Sequence, residues 1–169
     1  MEKKYRTIVI DPPWPVKPMI LKKYPDKLPY KTMSIEEISD FNIHDFADDE
    51  CSLFLWTTHT FLPDAVNIMK KWGFKYHCLM TWDKVAGYSN CGIFRNTELV
   101  LFGYKGKMTI NQKGKFLPCL FRESKGKHSR KPSIFFELLK NNTQEPRISI
   151  FEREKRDGFD VWGDEAPNE

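Results

Sequence analysis

The stretch Thr7-Ile8-Val9-Ile10-Asp11-Pro12-Pro13-Trp14 joins an apolar run to an acid, two prolines and a tryptophan. The apolar run predicts a short buried β-strand that ends at the acid. The strand cannot continue, because each proline removes a backbone donor and fixes φ. Open α/β sheets bind ligands at the carboxyl ends of their strands. The sequence therefore predicts that Asp11 and the Pro12 carbonyl are presented together at such an edge.

Asp11 and the Pro12 carbonyl form a pair of adjacent hydrogen-bond acceptors. Such a pair suits a flat amino group with two N–H donors, and Trp14 supplies a face on which a ring can stack. The alternative is a surface turn followed by a buried tryptophan. The four residues Asp11-Pro12-Pro13-Trp14 alone leave both interpretations open.

Length and composition predict one domain, residues 1–169, since 40% of the 169 residues are hydrophobic. No run approaches the roughly 18 apolar residues of a membrane span, and no secretory signal is visible. The four cysteines and four histidines are scattered. The scatter of these residues argues against a metal site or a disulfide framework and favours a reduced, cytoplasmic protein. The absence of a long apolar run predicts no membrane contact.

Positive charge is concentrated in one part of the chain. Nine Lys or Arg residues and one acid, Glu123, lie between Lys105 and Lys131, although the net charge is only +4. This segregation predicts an electropositive surface that meets phosphates. A solvated lysine-rich loop is the alternative.

Strand and helix patterns alternate along the chain. Strands are predicted at residues 7–10, 52–56, 76–82, 98–104 and 147–151, and helices at 35–40, 61–72 and 132–141. Ser34 and Glu37 predict a capping box at the first helix. Loops are predicted at 15–33 and 85–96, and a long basic loop containing a hairpin after residue 105. The alternation indicates an α/β fold, a mostly parallel sheet with helices on both faces.

Nine segments in order resemble the DPPW-type N6-adenine methyltransferases, a family that includes the catalytic subunit of the messenger-RNA adenosine methyltransferase and smaller bacterial and phage relatives. They span nearly the whole chain: residues 11–14, 28–34, 53–58, 82–84, 95–98, 103–106, 129–132, 150–153 and 162–165. The resemblance implies a Rossmann-like methyltransferase fold with a permuted motif order. It also implies S-adenosylmethionine (SAM) as the methyl donor and the N6 amine of adenine in DNA or RNA as the acceptor.

The resemblance implies a role for each matching residue. Asp11 and the Pro12 carbonyl would orient the amine and stabilise the charge that develops on it, and a general-base role for Asp11 is the alternative. The implied catalytic residues are Asp11, Pro12, Pro13 and Trp14. The implied substrate-binding residues are Trp14, Tyr30, Lys84, Asn96, Lys105 and Arg130, with the loops 15–31 and 105–131 clamping the nucleic-acid backbone.

The implied cofactor-binding residues are Ile10, Asp11, Lys131, Phe151, Arg153, Lys155, Asp164 and Glu165. Two of these positions depart from the family pattern. Asp164-Glu165 replaces an amide pair, so it accepts but does not donate hydrogen bonds, and Lys155-Arg156 replaces a His-Asn pair. A cation at the latter position favours a phosphate, a carboxylate or solvent.

Two other functions remain open at this point. One is a catalytically silent nucleic-acid-binding subunit that needs a partner, against which the intact Asp11-Pro12-Pro13-Trp14 argues. The other is a methyltransferase for a protein side-chain amide, where related motifs begin with Asn. The sequence does not distinguish DNA from RNA, and it leaves open a homodimer or a partner subunit.

Overall fold

The computed structural model describes residues 3–16, 31–90, 92–110, 116–124 and 130–163. Within these ranges the strands are β1 (Tyr5–Ile10), β2 (Ala47–Thr57), β3 (Lys75–Asn90), β4 (Ile93–Lys105), β5 (Leu120–Arg122), β6 (Arg147–Ile150) and β7 (Asp160–Trp162). The α-helices are α1 (Ile35–Ser39), α2 (Leu62–Lys71) and α3 (Ser133–Asn142), and a 3-10 helix covers Ile43–Asp45. No helix in the described ranges is long and apolar enough to cross a membrane.

All seven strands join one sheet in the order β5-β3-β4-β2-β1-β6-β7. Four neighbouring pairs are parallel: β1 with β2, β1 with β6, β3 with β5, and β6 with β7. Only β4 runs against its neighbours, β2 and β3. The predicted Rossmann-like α/β fold with a mostly parallel sheet is thus confirmed. The carboxyl ends of β1, β2, β3 and β6 lie at one edge, here called the carboxyl edge.

Helices cover both faces of the sheet, as predicted. Successive residues of β1 and β2 alternate between the two faces, because side chains in a strand point to opposite sides. Ile8, Ile10 and Leu55 pack with Ile68 and Met69 of α2. On the other face, Val9, Phe54 and Trp56 pack with Phe135 and Leu139 of α3. A core on each side holds the carboxyl edge rigid.

The helices begin and end close to the predicted positions. The Ser34 hydroxyl accepts from the Glu37 backbone N–H at 3.1 Å, and the Glu37 carboxylate accepts from the Ser34 N–H at 2.7 Å. This capping box confirms the start of α1. Helix α2 ends at Lys71, and Gly73 follows the C-cap residue Trp72 with a φ of +77°, the left-handed conformation that glycine adopts without strain.

The predicted loop at 85–96 is wrong. Strand β3 continues to Asn90, and β4 begins at Ile93 and pairs with it as far as Asn90↔Ile93. Gly87, Asn90 and Gly92 gave this stretch the composition of a loop. The pairing instead makes a β-hairpin that extends beyond the carboxyl edge. Residues 83–90 and 92–97, the described part of this hairpin, are called the arm below.

Two edge strands also differ from expectation. β5 pairs in parallel with β3, so the described part of the basic segment adds a parallel strand where a hairpin was predicted. β7 was not predicted at all, because a three-residue strand has too few positions to show alternation.

Candidate active site

The ends of β1 and β6 build the floor of the site. Ile10 pairs with Ile150, and the Asp11 N–H donates to the Ile150 carbonyl at 3.3 Å. The segments that follow the two strands, 11–14 and 151–154, therefore begin side by side. A cavity of about 590 Å³ opens between them. It lies at the carboxyl edge, where ligands bind in open α/β sheets.

The Asp11-Pro12-Pro13-Trp14 turn is held by its own backbone. The Pro12 carbonyl accepts from the Trp14 N–H at 2.8 Å, and the Pro13 carbonyl accepts from the Met33 N–H at 2.9 Å. The Pro12 oxygen retains a second lone pair for another donor. The Pro13 carbonyl instead fixes the chain where it returns toward α1.

Trp14 is part of the cavity wall. Its indole N–H donates to the Trp56 carbonyl at 3.0 Å, and its ring stacks on Phe61 with 5.3 Å between the centroids. Only 5% of Trp14 is exposed. Trp14 therefore exposes little surface to the cavity in this conformation, because Phe61 covers one face. Its stacking on a base stays a prediction.

Four alternating charges connect the turn to the middle of the sheet. Lys131 Nζ lies 3.1 Å from Asp11 Oδ2 and 3.0 Å from Glu98 Oε2. Lys84 Nζ lies 3.3 Å from Glu98 Oε1. The Lys131 ammonium also lies 4.6 Å from the centre of the Trp56 ring, a cation–π contact. We call Asp11, Lys131, Glu98 and Lys84 the charge network; it fixes the orientation of the Asp11 carboxylate.

Burial and pairing shift the pKa values within this network. Burial raises the pKa of Asp11 above its ordinary value, and the nearby Lys131 ammonium opposes that rise. Burial also acts to raise the pKa of Glu98, but Lys131 and Lys84 outweigh it and lower the pKa to about 2. For Lys131, burial acts to lower the pKa, and the Asp11 and Glu98 carboxylates raise it well above its ordinary value. Lys131 and Glu98 are therefore charged at neutral pH.

Glu123, the one acid in the basic segment, positions Lys131. Its carboxylate accepts from the backbone N–H groups of Ser133 at 2.9 Å and Ile134 at 2.8 Å, at the start of α3. Its carbonyl accepts from the Trp82 indole N–H at 2.9 Å. A carboxylate at a helix N-terminus is stabilising. Glu123 therefore anchors α3, and with it Lys131, to β3.

A second buried ion pair lies after β6. The Glu152 carboxylate lies 3.0 Å from Arg156 Nε, and these side chains are 10% and 7% exposed. The same carboxylate accepts from the backbone N–H groups of Arg153 at 3.0 Å and Glu154 at 3.3 Å. Arg156 also lies over the Phe136 ring at 4.3 Å. Arg156 thus faces a carboxylate, one of the options left open by the sequence, and Glu152 is a site residue that the sequence analysis did not single out.

Most of the predicted site residues that the structure describes meet at the cavity. Its lining includes Asp11, Pro12, Pro13, Trp14, Arg130, Lys131, Phe151 and Arg153. Lys84 joins them through Glu98, whereas Asn96 donates to Asp83 at 3.2 Å at the base of the arm. The Ile10 side chain is fully buried in the core, and Lys155 is exposed and lies outside the lining. Tyr30, Asp164 and Glu165 lie outside the described residues.

The placement of Lys105 in the substrate site is wrong. Lys105 pairs with Cys51, at the end of β2 opposite the carboxyl edge, and its Nζ lies 3.9 Å from Asp49. β4 is 13 residues long and antiparallel to β2. Its first residues therefore lie at the carboxyl edge and its last residue at the other edge. The long basic segment begins far from the cavity, and among its described residues Arg130 and Lys131 line the cavity.

A Rossmann-like sheet with an acid–proline turn and a charged cavity at its carboxyl edge defines an enzyme of the α/β methyltransferase class. The chain belongs to the MT-A70 family, which matches it over residues 5–165. It is also similar to the type II methyltransferase M.MunI of Mycoplasma sp. The identity is 27% over an alignment of 185 residues, which covers 98% of this chain and 79% of that protein. The protein is thus an enzyme that transfers a methyl group to the N6 amine of adenine in nucleic acid, and the silent-subunit alternative is not favoured.

Proposed function

We propose that the cavity binds SAM and that Asp11 orients the adenine amine toward the donor. The observation that carries this proposal is the 3.1 Å contact between Lys131 Nζ and Asp11 Oδ2. This contact holds one oxygen of the Asp11 carboxylate, so the second oxygen, Oδ1, has a defined direction in a residue that lines the cavity. A carboxylate with a fixed direction is suited to accept from one N–H of a flat amino group.

The cavity suits a ligand of the size and charge of SAM. Its volume of about 590 Å³ falls within the range of small-molecule and cofactor sites. Five carboxylates and five cations line it: Asp11, Glu37, Glu98, Glu152, Glu154, Lys31, Arg130, Lys131, Arg153 and Arg156. Balanced charges of this kind complement a ligand that carries an amine, a carboxylate and a sulfonium.

SAM, when bound, supplies a methyl group on positively charged sulfur. We assign Lys131 to the methionine carboxylate, Arg153 to the region of the ribose, and Phe151 to the turn that supports both. Phe151 has a φ of +61°, so the chain turns sharply directly after β6 and returns along the cavity. Asp164 and Glu165 stay predictions for the ribose or the adenine of the cofactor.

The acceptor chemistry depends on Asp11 and the Pro12 carbonyl. The adenine amine is a poor nucleophile, because its lone pair is delocalised into the ring. Asp11 Oδ1 and the remaining Pro12 lone pair each accept one N–H, which favours a pyramidal nitrogen whose lone pair faces the methyl group. The carboxylate then stabilises the positive charge that develops on nitrogen. The proton is lost readily after methylation, so Asp11 need not remove it first.

Methyl transfer from labelled SAM tests this assignment. Single-stranded DNA, duplex DNA and RNA are each incubated with the enzyme, and N6-methyladenine is identified by mass after digestion. Asp11→Asn keeps the shape but removes the charge and should lower kcat by about 10²–10³ on every substrate that the wild type methylates. Asp49→Asn, at a fully exposed carboxylate on the opposite edge, is the matched control and should keep wild-type kcat.

Each result of this assay decides a separate point. Product on DNA alone or RNA alone assigns the class of nucleic acid. Wild-type turnover by Asp11→Asn would contradict the role given to Asp11. Equilibrium dialysis with labelled SAM, run beside it, measures cofactor binding directly, and an enzyme that binds no SAM would contradict the assignment of the cavity.

A further inference from the structure

The arm reaches past the cavity on the same side as the site. β3 is parallel to β1, so the turn between β3 and β4 lies beyond the carboxyl edge. Trp82 pairs with Glu98, and both line the cavity. From Thr97 to Ile93 the arm then continues for four more residues, about 13 Å at the rise of a β-strand.

The arm has a defined and strained shape. The register of the β3–β4 pairing shifts between the pair Asp83↔Thr97 and the pair Tyr88↔Arg95. This shift leaves extra residues in β3. Within that bulge Val85 has a φ of +65°, a costly conformation for a β-branched residue. Gly87 permits the close approach of the two strands, because a Cβ there would lie 2.4 Å from the Arg95 carbonyl oxygen. Bulges redirect strands and occur often beside active sites.

Polar contacts hold the base of the arm. The Asp83 carboxylate accepts from the Val85 N–H at 2.9 Å and from Asn96 Nδ2 at 3.2 Å, and it pairs with Arg122 Nε at 3.1 Å. Lys84 belongs to the charge network through Glu98. His59 Nε2, directly after the cavity residue Thr58, lies 2.8 Å from Thr97 Oγ1. The arm is therefore fixed relative to Asp11.

Apolar side chains are exposed on the arm. Ile93 is 63% exposed and Phe94 58% exposed, and Val85 in the bulge is 48% exposed. Two exposed cations lie at the base of the arm and at the cavity. Arg122, 69% exposed, pairs with Asp83, and Arg130, 51% exposed, pairs with Glu154. Apolar residues between cations suit paired nucleic acid, whose phosphates meet the cations while an apolar side chain enters the base stack.

We propose that the arm is a wedge for paired nucleic acid, with Phe94 occupying the space in the stack that the target adenine vacates; this rests on the proposed function. Asp11 lines a cavity, so an adenine within a duplex must leave the stack to reach it. Extrusion leaves a gap between neighbouring bases. A side chain that fills the gap slows the return of the base, and Phe94, with Ile93 beside it, has the size and the apolar character to do so.

Phe94→Ala, compared on paired and single-stranded substrates, tests the wedge. The substrates are a mixed DNA duplex with adenine in every tetranucleotide context, its separated strands, and the corresponding RNA duplex and strands. Phe94→Ala should lower turnover on the duplex that the wild type methylates by about tenfold or more, and turnover on its single strand by less than about twofold. Phe94→Leu should restore most of the loss. Tyr76→Ala, which removes a 45% exposed aromatic side chain at the start of β3, opposite the carboxyl edge, should act as wild type on both.

A second readout does not depend on turnover. A duplex with 2-aminopurine in place of adenine becomes more fluorescent when that base leaves the stack. The wild type should raise this signal on binding, and Phe94→Ala should bind but lose the rise. Equal loss of turnover on paired and single-stranded substrates, no loss on either, or an unchanged 2-aminopurine signal would each overturn the wedge.

Failure of the wedge and failure of the proposed function are distinguishable. An enzyme that forms no N6-methyladenine, yet gives a 2-aminopurine signal that needs Phe94, would overturn the proposed chemistry and keep the wedge. An enzyme that methylates without any dependence on Phe94 would keep the chemistry and overturn the wedge. No signal with the wild-type enzyme would overturn the wedge whatever the turnover.

Discussion

Glu98 is the central residue of the charge network, because its two oxygens each meet a lysine, Lys131 at 3.0 Å and Lys84 at 3.3 Å. Without it, two ammonium groups with 15% and 9% exposed side chains would lose a shared counter-ion. The cost of removing one partner of a buried pair exceeds the net value of the pair, since the remaining charge stays desolvated. Glu98 therefore supports Asp11 indirectly, through Lys131.

The pKa of Glu98 makes its contribution dependent on pH. The pKa is about 2 in the folded protein and near 4.5 in the unfolded chain, so the unfolded chain binds the proton first as pH falls. Its stabilisation is present above the unfolded pKa and is lost as pH falls through the folded pKa. Asp11 has a raised pKa, and its contribution has the opposite sign.

Glu98→Gln should lower the free energy of unfolding by about 2–3 kcal/mol at pH 7. The difference from wild type should shrink as the pH falls from about 5 to 2, because the carboxyl of the unfolded chain binds a proton first and the folded carboxyl follows near its pKa of about 2. Urea unfolding at several pH values measures it. Glu145→Gln, at a carboxylate 77% exposed to solvent, should change the stability by less than about 1 kcal/mol. A difference independent of pH would contradict the role given to the charge on Glu98.

At the scale of the elements, the packing of β4 against α2 depends on Gly103, a residue without a side chain. Gly103 pairs with Leu53 of β2 and Tyr76 of β3. A Cβ there would lie 2.6 Å from Met69 Sδ and 2.9 Å from the Lys75 carbonyl oxygen. The absence of a side chain lets α2 pack directly on the sheet. This contact sets the distance between the helix layer and the strand that carries Glu98.

Gly103→Ala should lower the free energy of unfolding by about 1–3 kcal/mol, because the methyl group forces Met69 out of its packed position. In a Met69→Ala background the same substitution should cost less, since the Sδ atom is gone and only the Lys75 carbonyl remains close. A double-mutant cycle by urea unfolding measures the coupling. Additive effects of the two substitutions would show that α2 and Gly103 are not in close contact.

At the scale of the whole molecule, the two edges of the sheet carry different sets of functional and charged residues. The carboxyl edge holds the cavity, the arm, Arg130, which pairs with Glu154 at 3.0 Å, and the exposed Arg153. The opposite edge carries Lys3 and Lys105, which pair with Asp160 and Asp49. A nucleic acid that delivers adenine to Asp11 meets the first set and not the second. Total charge is therefore a poor guide to binding, and the position of each charge decides its effect.

Arg130→Ala combined with Arg153→Ala should weaken nucleic-acid binding and reduce the slope of log K against log salt concentration by up to about 2, one phosphate contact for each cation. Lys3→Ala combined with Lys105→Ala changes the net charge equally and should leave the slope unchanged. Fluorescence anisotropy between low and physiological salt measures both. Equal slopes for the two double variants would contradict the location of the phosphate-binding surface.

Local patterns in the sequence predicted most of the elements. The period of apolar residues and the capping residues around α1, α2 and α3 depend on neighbours within a few positions, so they are visible in the chain itself. The end of β1 at Ile10 followed from two prolines. The arm was mistaken for a loop because strand pairing, bulge included, overrides a composition rich in glycine and asparagine. β7 forms only because β6 lies beside it.

The sequence by itself determined the class of fold, the position of Asp11 at a strand end and the family to which the motifs belong, because these depend on short contiguous stretches. Only the tertiary structure decided which charges face one another: Lys131 meets Asp11 and Glu98, Glu152 meets Arg156, and Glu123 anchors α3. The tertiary structure also placed Lys105 at the edge opposite the carboxyl edge, because β4 runs antiparallel to β2. Charge pairs between distant segments depend on strand order and direction, which no local pattern encodes.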